Sequence, residues 1–145
     1  MMISNSAKET MDIAAELAQK AKPGDIIALS GELGAGKTAF AKGFAIGLGV
    51  KAHVSSPSFT LMQIYEDGRL PLYHFDLYRL EDFADEDTLE GVGFFEYLEG
   101  DGLCLIEWAE YAKEHIPDSA MWVEIRREQN ADNERERDKR TIHIR

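Results

Sequence analysis

The chain has 145 residues, 44% of them hydrophobic, and a net charge of −11 that comes from 16 Lys and Arg against 27 Asp and Glu. This length and composition predict one globular domain over residues 1–145 and exclude a membrane-spanning helix, because no run approaches the roughly 18 apolar residues that such a helix needs. The acidic balance argues against stable nucleic-acid binding by this chain alone, since Lys and Arg hold the phosphate backbone.

Two further features bear on location. The N-terminal residues MMISNSAKET have neither the basic flank nor the apolar stretch of a signal peptide. Cys104, the single cysteine, lies in an apolar run and has no intramolecular partner for a disulfide. The sequence therefore predicts a cytoplasmic protein.

The first third of the chain predicts a helix, a buried strand and a second helix. Residues 6–9, SAKE, match a capping box ahead of apolar residues at helical spacing, and Pro23-Gly24 ends that helix. The apolar run 25–30 predicts a strand buried on both faces. Residues 37–48 predict the second helix, with Gly49 as its stop.

A β-hairpin is predicted around Asp67-Gly68, the pair typical of a two-residue type I′ turn. With such a turn, Phe59 lies opposite Asp76, which brings Asp76 beside Ser58 and Thr60. Further along the chain, the sequence predicts short helices at 93–98 and 108–115 and strands at 103–106, 121–126 and 141–144.

A glycine-rich loop separates the first buried strand from the second helix. Residues 31–38, GELGAGKT, match G-x-x-x-x-G-K-[ST]. In such a loop backbone N–H groups surround phosphate, Lys37 reaches the β- and γ-phosphates, and the Thr38 hydroxyl ligates magnesium, while the helix adds the positive end of its dipole. The sequence therefore predicts binding of ATP with Mg²⁺. The nucleotide-binding residues predicted from the loop are Glu32, Leu33, Gly34, Ala35, Gly36, Lys37, Thr38 and Ala39.

The loop and the order of the elements together predict the fold class. A strand, a glycine loop and a helix begin a βαβ unit, and further strands and helices follow. We expect an α/β, P-loop NTPase-like fold with a mostly parallel central sheet, an antiparallel hairpin and helices on both faces.

A P-loop enzyme also needs an acid at the end of a neighbouring strand to hold magnesium or its water shell. Glu107 directly follows an apolar strand and is assigned to magnesium; the alternative is a surface or capping carboxylate. Asp76 ends the hairpin strand and is assigned, as the catalytic residue, to orienting the attacking water or the metal's water shell; the alternative is a hydrogen bond at the hairpin end.

Other polar and aromatic side chains near these positions could each have either a functional or a structural role. Ser58 and Thr60 are candidates for a switch that senses the γ-phosphate, or they bond their own loop backbone. His74 contacts the reaction or is a hydrogen-bonded histidine of the sheet, which the sequence favours. Trp108 borders the nucleotide or packs only.

Four segments in this order resemble the TsaE family, formerly YjeE. They are GELGAGKT at 31–38, SPSFTL at 56–61, YHFDLYR at 73–79 and LIEWAE at 105–110. The resemblance implies a bacterial ATPase, weak alone, that is needed with TsaB and TsaD to make threonylcarbamoyladenosine at position 37 of tRNA.

The resemblance also implies roles for individual residues. It keeps the loop roles given above, places Glu107 on magnesium and makes Asp76 the catalytic acid. Trp108 matches the family's tryptophan beside the nucleotide. Thr10 and Arg140 are candidates for the adenine site, which in this family draws on the N-terminal segment and the C-terminal strands.

Two other functions fit the P-loop. A small metabolite kinase would pass the γ-phosphate to a hydroxyl, but the chain is short and has no arginine-rich lid. A nucleotide-sensing adaptor would bind ATP and scarcely hydrolyse it.

Overall fold

The computed structural model describes residues 1–32, 34–55, 57, 60–82, 84–127 and 139–145. The α-helices are α1 (Ala7–Lys20), α2 (Lys37–Gly47), α3 (Glu86–Gly91) and α4 (Phe94–Leu98). The strands are β1 (Met2–Ser4), β2 (Ile26–Ser30), β3 (Met62–Tyr65), β4 (Leu72–Asp76), β5 (Leu103–Glu107), β6 (Met121–Arg127) and β7 (Arg140–Ile144). Two 3₁₀ segments cover Tyr78–Leu80 and Ala109–His115. None of the helices described is long and apolar enough to cross a membrane.

The seven strands within the described residues form one mixed sheet in the order β1-β7-β6-β2-β5-β4-β3. The central strands β6, β2, β5 and β4 run parallel to one another, whereas β3 at one edge and β7 and β1 at the other pair antiparallel. Helices α1 and α2 cover one face, and α3, α4 and the 3₁₀ segments cover the other. The predicted α/β class, with helices on both faces, is confirmed.

The local signals of the N-terminal half give the predicted elements. The Ser6 hydroxyl accepts the Glu9 N–H at 3.1 Å and caps α1. The Glu9 carboxylate accepts the N–H of Asn5 at 2.7 Å, one residue earlier than a standard capping box. Gly49, with φ +83°, follows α2 in the left-handed conformation expected of a helix stop.

The hairpin turn is longer than predicted, and the two-residue turn at Asp67-Gly68 is wrong. Tyr65 lies opposite Leu72, so six residues, 66–71, connect β3 to β4. The Asp76 N–H donates to the Leu61 carbonyl at 3.0 Å, and the register has therefore moved by two residues from the one that set Phe59 opposite Asp76. Because the shift is even, every side chain keeps its predicted face.

Tertiary contacts explain the longer turn. The Asp67 carboxylate accepts the Lys51 N–H at 2.9 Å, in the segment that follows α2. The Arg69 guanidinium donates to the Ala18 and Ala21 carbonyls at the end of α1, at 2.8 and 2.9 Å. A two-residue turn would pull these groups away from both helices, so the connection widens to reach them.

Candidate functional site

The glycine loop lies where the sequence places it, between β2 and α2. All five residues of β2 are buried, which fixes the point at which the loop leaves the sheet. Gly31 has a φ of +147°, and a Cβ at this position would collide with the Ile125 carbonyl oxygen. Gly36 caps α2 with a φ of +112°. Both positions thus require glycine, and the N-terminus of α2 points its unpaired N–H groups into the loop.

The Lys37 side chain is folded back onto the loop. Its ammonium donates to the Gly31 carbonyl and to the Glu32 carbonyl, the latter at 2.9 Å, and lies 3.7 Å from the centre of the Trp108 ring. Burial lowers the pKa of Lys37, and the attraction of nearby carboxylates, Glu110 first, opposes this shift. The Lys37 amine is therefore held at the loop by two neutral backbone carbonyls.

Asp76 and Glu107 meet at the carboxyl ends of two parallel strands. They are direct neighbours in the β4–β5 register, and both are almost fully buried. On the same strands, Leu72 and Leu105 pack with the α1–α2 core. Since strand residues alternate between faces, Asp76 and Glu107 project toward the side of α2. The two predicted acids thus share a face with the P-loop helix.

Each carboxylate has a different partner. Asp76 Oδ1 accepts the N–H of Tyr78 at 3.0 Å, which is the hairpin-end hydrogen bond weighed from the sequence. Glu107 Oε2 lies 2.6 Å from His74 Nε2, and both side chains are buried. His74 is therefore a hydrogen-bonded histidine of the sheet, as the sequence favoured.

The oxygen groups at this edge fit magnesium. Thr38, the second residue of α2, is exposed, and the Glu107 and Asp76 carboxylates lie on the same side of the sheet. Within the described ranges no group of three or more His, Cys, Asp or Glu side chains could hold a metal alone. Mg²⁺ is usually bound by one or two carboxylates together with substrate phosphates and water, so this donor set suits it.

Trp108 follows β5 with a positive φ of 58°. Its ring lies 5.4 Å from Tyr111 in a stacked arrangement and 5.0 Å from Tyr78 in a tilted one. Together with the Lys37 contact, these rings place Trp108 beside the loop and also pack it. A contact with nucleotide stays a prediction.

Arg140 lies against the glycine loop, whereas Thr10 is occupied elsewhere. Arg140 Nε donates to the Ala35 carbonyl at 2.9 Å, and Nη2 lies 3.4 Å from the Gly34 carbonyl. The buried Thr10 hydroxyl shares a 2.7 Å hydrogen bond with that of Ser4 on β1. Their assignment to the adenine site stays a prediction.

Two of the predicted site residues fall outside the described part of the chain, and Thr60 lies within it. Leu33 and Ser58 lie outside the described residues. Thr60 is exposed, and its hydroxyl donates to the Met62 carbonyl at 3.2 Å, the local backbone bond that was the alternative to a switch. Its switch role stays a prediction. Of the other loop residues, Glu32 is exposed and Ala39 is half-buried.

Glu110 lines a cleft that the sequence did not predict, and the sequence assigned this residue no role. The Glu110 carboxylate accepts the N–H of Gly31, the first loop residue, at 3.3 Å. It borders a cleft of about 1110 Å³ beside the loop. The cleft is lined in part by Gly31, Glu32, Trp108, Trp122, Glu124 and Arg126. The alternating polar residues of β6 were the only sequence signal for it.

Comparisons with known proteins agree on one family. Residues 4–138 match the family model described as "Threonylcarbamoyl adenosine biosynthesis protein TsaE". A "tRNA threonylcarbamoyladenosine biosynthesis protein TsaE" from Bacillus subtilis is 48% identical over 129 residues, which cover 89% of this chain and 77% of that protein. The protein of the same name from Treponema pallidum is 39% identical over 127 residues, covering 86% and 89%.

A solved structure supports the same assignment. The crystal structure of YdiB from Bacillus subtilis matches this chain with a TM-score of 0.78 and 40% sequence identity. The match covers 99% of this chain and 82% of that one. Both the sequence match and the fold match extend over most of the chain. The chain therefore belongs to the TsaE family.

Proposed function

We propose that this protein is a weak, magnesium-dependent ATPase of the cytoplasm. It acts with TsaB and TsaD in the synthesis of threonylcarbamoyladenosine at position 37 of tRNA. The observation that carries the proposal is the placement of a P-loop lysine, Lys37, on the same side of the sheet as the paired strand-end acids Asp76 and Glu107. Membership of the TsaE family supports the pathway.

Each of the site residues has a separate role in the proposed hydrolysis. The Lys37 ammonium exchanges the Gly31 and Glu32 carbonyls for the β- and γ-phosphates, and the N–H groups at the start of α2 bind the same phosphates. Thr38 and Glu107 would hold Mg²⁺, which would neutralise part of the phosphate charge. Asp76 orients a water molecule for attack on the γ-phosphorus, and ADP leaves.

The charge of the chain supports a role within a complex. A net charge of −11 leaves few cations with which to displace counterions from tRNA, so the partners are expected to hold the nucleic acid. The acidic surface is suited to a basic partner face.

The test is release of phosphate from γ-labelled ATP, measured with the chain alone, with TsaB and TsaD, and with each mixture in EDTA. We expect slow, magnesium-dependent release that the partners stimulate, and Lys37→Ala as the inactive control. Transfer of label to a small hydroxyl compound would replace the proposal with a kinase. ATP binding without release in any mixture would replace it with an adaptor.

A further inference from the structure

His74 is a buried histidine whose partner is one of the proposed magnesium ligands. It lies on β4 two residues before Asp76, on the face that carries Leu72 and Asp76, and its side chain is 1% exposed. Nε2 lies 2.6 Å from Glu107 Oε2. Among the described residues, His74 Nδ1 is the one fully buried side-chain nitrogen or oxygen without a hydrogen-bond partner.

The unpartnered Nδ1 decides which nitrogen carries the proton. A buried N–H without an acceptor is costly and rare in native structures, whereas an unpaired acceptor is tolerated better. The proton therefore resides on Nε2, and His74 donates it to Glu107 Oε2. The histidine acts as a hydrogen-bond donor directed at one oxygen of this carboxylate.

The other carboxylate oxygen is left open. Glu107 Oε1 has no hydrogen bond to the described part of the chain. It is also not one of the fully buried side-chain polar atoms that lack a hydrogen-bond partner. It therefore borders solvent. The Glu107 charge also acts on the Lys37 ammonium, which places the carboxylate within electrostatic reach of the loop.

Stability alone does not account for this pair. Both members of a buried His–Glu pair lose their hydration. Apolar side chains of similar volume commonly give equal or higher stability at such positions. Leu72 and Leu105, on the same face of the same two strands, fill their positions in that way. A leucine at position 74 would continue this core, so the donor at this point has a use beyond packing.

We propose that His74 is a positioning residue that fixes the Glu107 carboxylate through Oε2 and presents Oε1 to the magnesium ion of the bound nucleotide. The inference rests on the proposed function. Hydrogen-bond partners of metal ligands hold the ligand in one orientation, and their loss typically lowers metal affinity by about 10–100-fold.

The test measures metal binding rather than turnover. Mn²⁺, as a probe of the magnesium site, is titrated into the ADP complex and followed by electron paramagnetic resonance for wild type, His74→Leu, His74→Gln and His74→Asn. ADP affinity in EDTA is measured in parallel by calorimetry. We expect His74→Leu to lower Mn²⁺ affinity about 10–100-fold while the EDTA value stays within about twofold.

The two amide variants form the matched pair. Glutamine places its N–H₂ near the position of Nε2 and should restore most of the affinity, whereas asparagine places it near Nδ1 and should not. If His74→Leu does not fold, this pair carries the test. A two-bond ¹H–¹⁵N spectrum of the wild-type imidazole should also show the Nε2–H tautomer, and the Nδ1–H tautomer would overturn the proposal.

Failure of this inference is separable from failure of the proposed function. Normal Mn²⁺ affinity in a folded His74→Leu, or equal affinity in the glutamine and asparagine variants, would refute the positioning role alone. If the wild-type protein binds no Mn²⁺ together with ADP, the magnesium site is refuted, and with it both proposals.

Discussion

Helix α2 packs so closely on α1 that one added methyl group is expected to destabilise the protein. A Cβ at Gly43 would lie 2.7 Å from the carbonyl carbon of Met11, with the Met11 carbonyl oxygen and Cα closer still. Ordinary contacts begin near 3.4 Å. All three atoms are backbone, so no rotation of a side chain relieves the clash, and α1 must retreat by about 1 Å.

The expected cost follows from two opposing terms. Overpacking a rigid interface costs up to about 3 kcal/mol. Alanine is favoured over glycine inside a helix by about 1 kcal/mol. Gly43→Ala should therefore lower the free energy of unfolding by about 2 kcal/mol, or the melting temperature by roughly 6 °C in a chain of this size.

Urea denaturation measures the effect, with Gly91→Ala as the matched control. Gly91 is likewise a helical glycine, the last residue of α3, but a Cβ there meets nothing within 4 Å, so its substitution should be neutral or slightly stabilising. Since α2 carries Lys37 and Thr38, Gly43→Ala should also weaken nucleotide binding. An unchanged or higher urea midpoint for Gly43→Ala, beside a normal control, would refute the reasoning.

Four further predictions concern the site residues, the buried cysteine and the charge of the chain. Lys37→Ala should abolish ATP binding in isothermal titration, because it removes the charge-assisted contact to phosphate; unchanged affinity would refute the loop assignment. Glu107→Ala should weaken nucleotide binding and its magnesium dependence together, whereas Asp76→Ala should bind normally and lose turnover. If both bind Mg-ATP normally and only Glu107→Ala is inactive, the roles are reversed. Burial raises the pKa of Cys104 to about 12, so the native thiol should not react with Ellman's reagent at pH 8, and its labelling should follow unfolding. Rapid labelling of the native chain would contradict its burial. Specific binding of bare tRNA should be absent from gel shifts at physiological salt, and its presence would contradict the argument from charge.

The elements that sequence predicted correctly have causes within a few residues. The Ser6 cap, the stop at Gly49 and the buried runs of β2 and β5 are local patterns, and each formed where it was expected. Local signals also placed Asp76 and Glu107 each at a strand end, but their proximity arises from the parallel pairing of β4 with β5, which the sequence analysis did not predict. Both end strands of one sheet, and the carboxyl ends of parallel strands lie at the same edge.

The features that sequence missed depend on contacts between distant segments. The turn after β3 widened because Arg69 bonds carbonyls of α1, 48 and 51 residues away along the chain. β1 has three residues, too few for a periodic signal, and forms only because β7 offers it an edge. Glu110 meets Gly31 across 79 residues. No window of sequence contains both members of any of these pairs.

In the proposed function, the charges around the loop would give magnesium a specific task. The Lys37 ammonium is attracted by the carboxylates of Glu110, Glu107, Asp76 and Glu32. A triphosphate bound there would bring further negative charge close to these carboxylates, and like charges repel more strongly in a partly buried site than in water. A divalent cation that arrived with the nucleotide would offset this repulsion, because it would attract both the phosphates and the strand-end acids. The proposed function therefore predicts that the same acids disfavour free ATP and favour Mg-ATP.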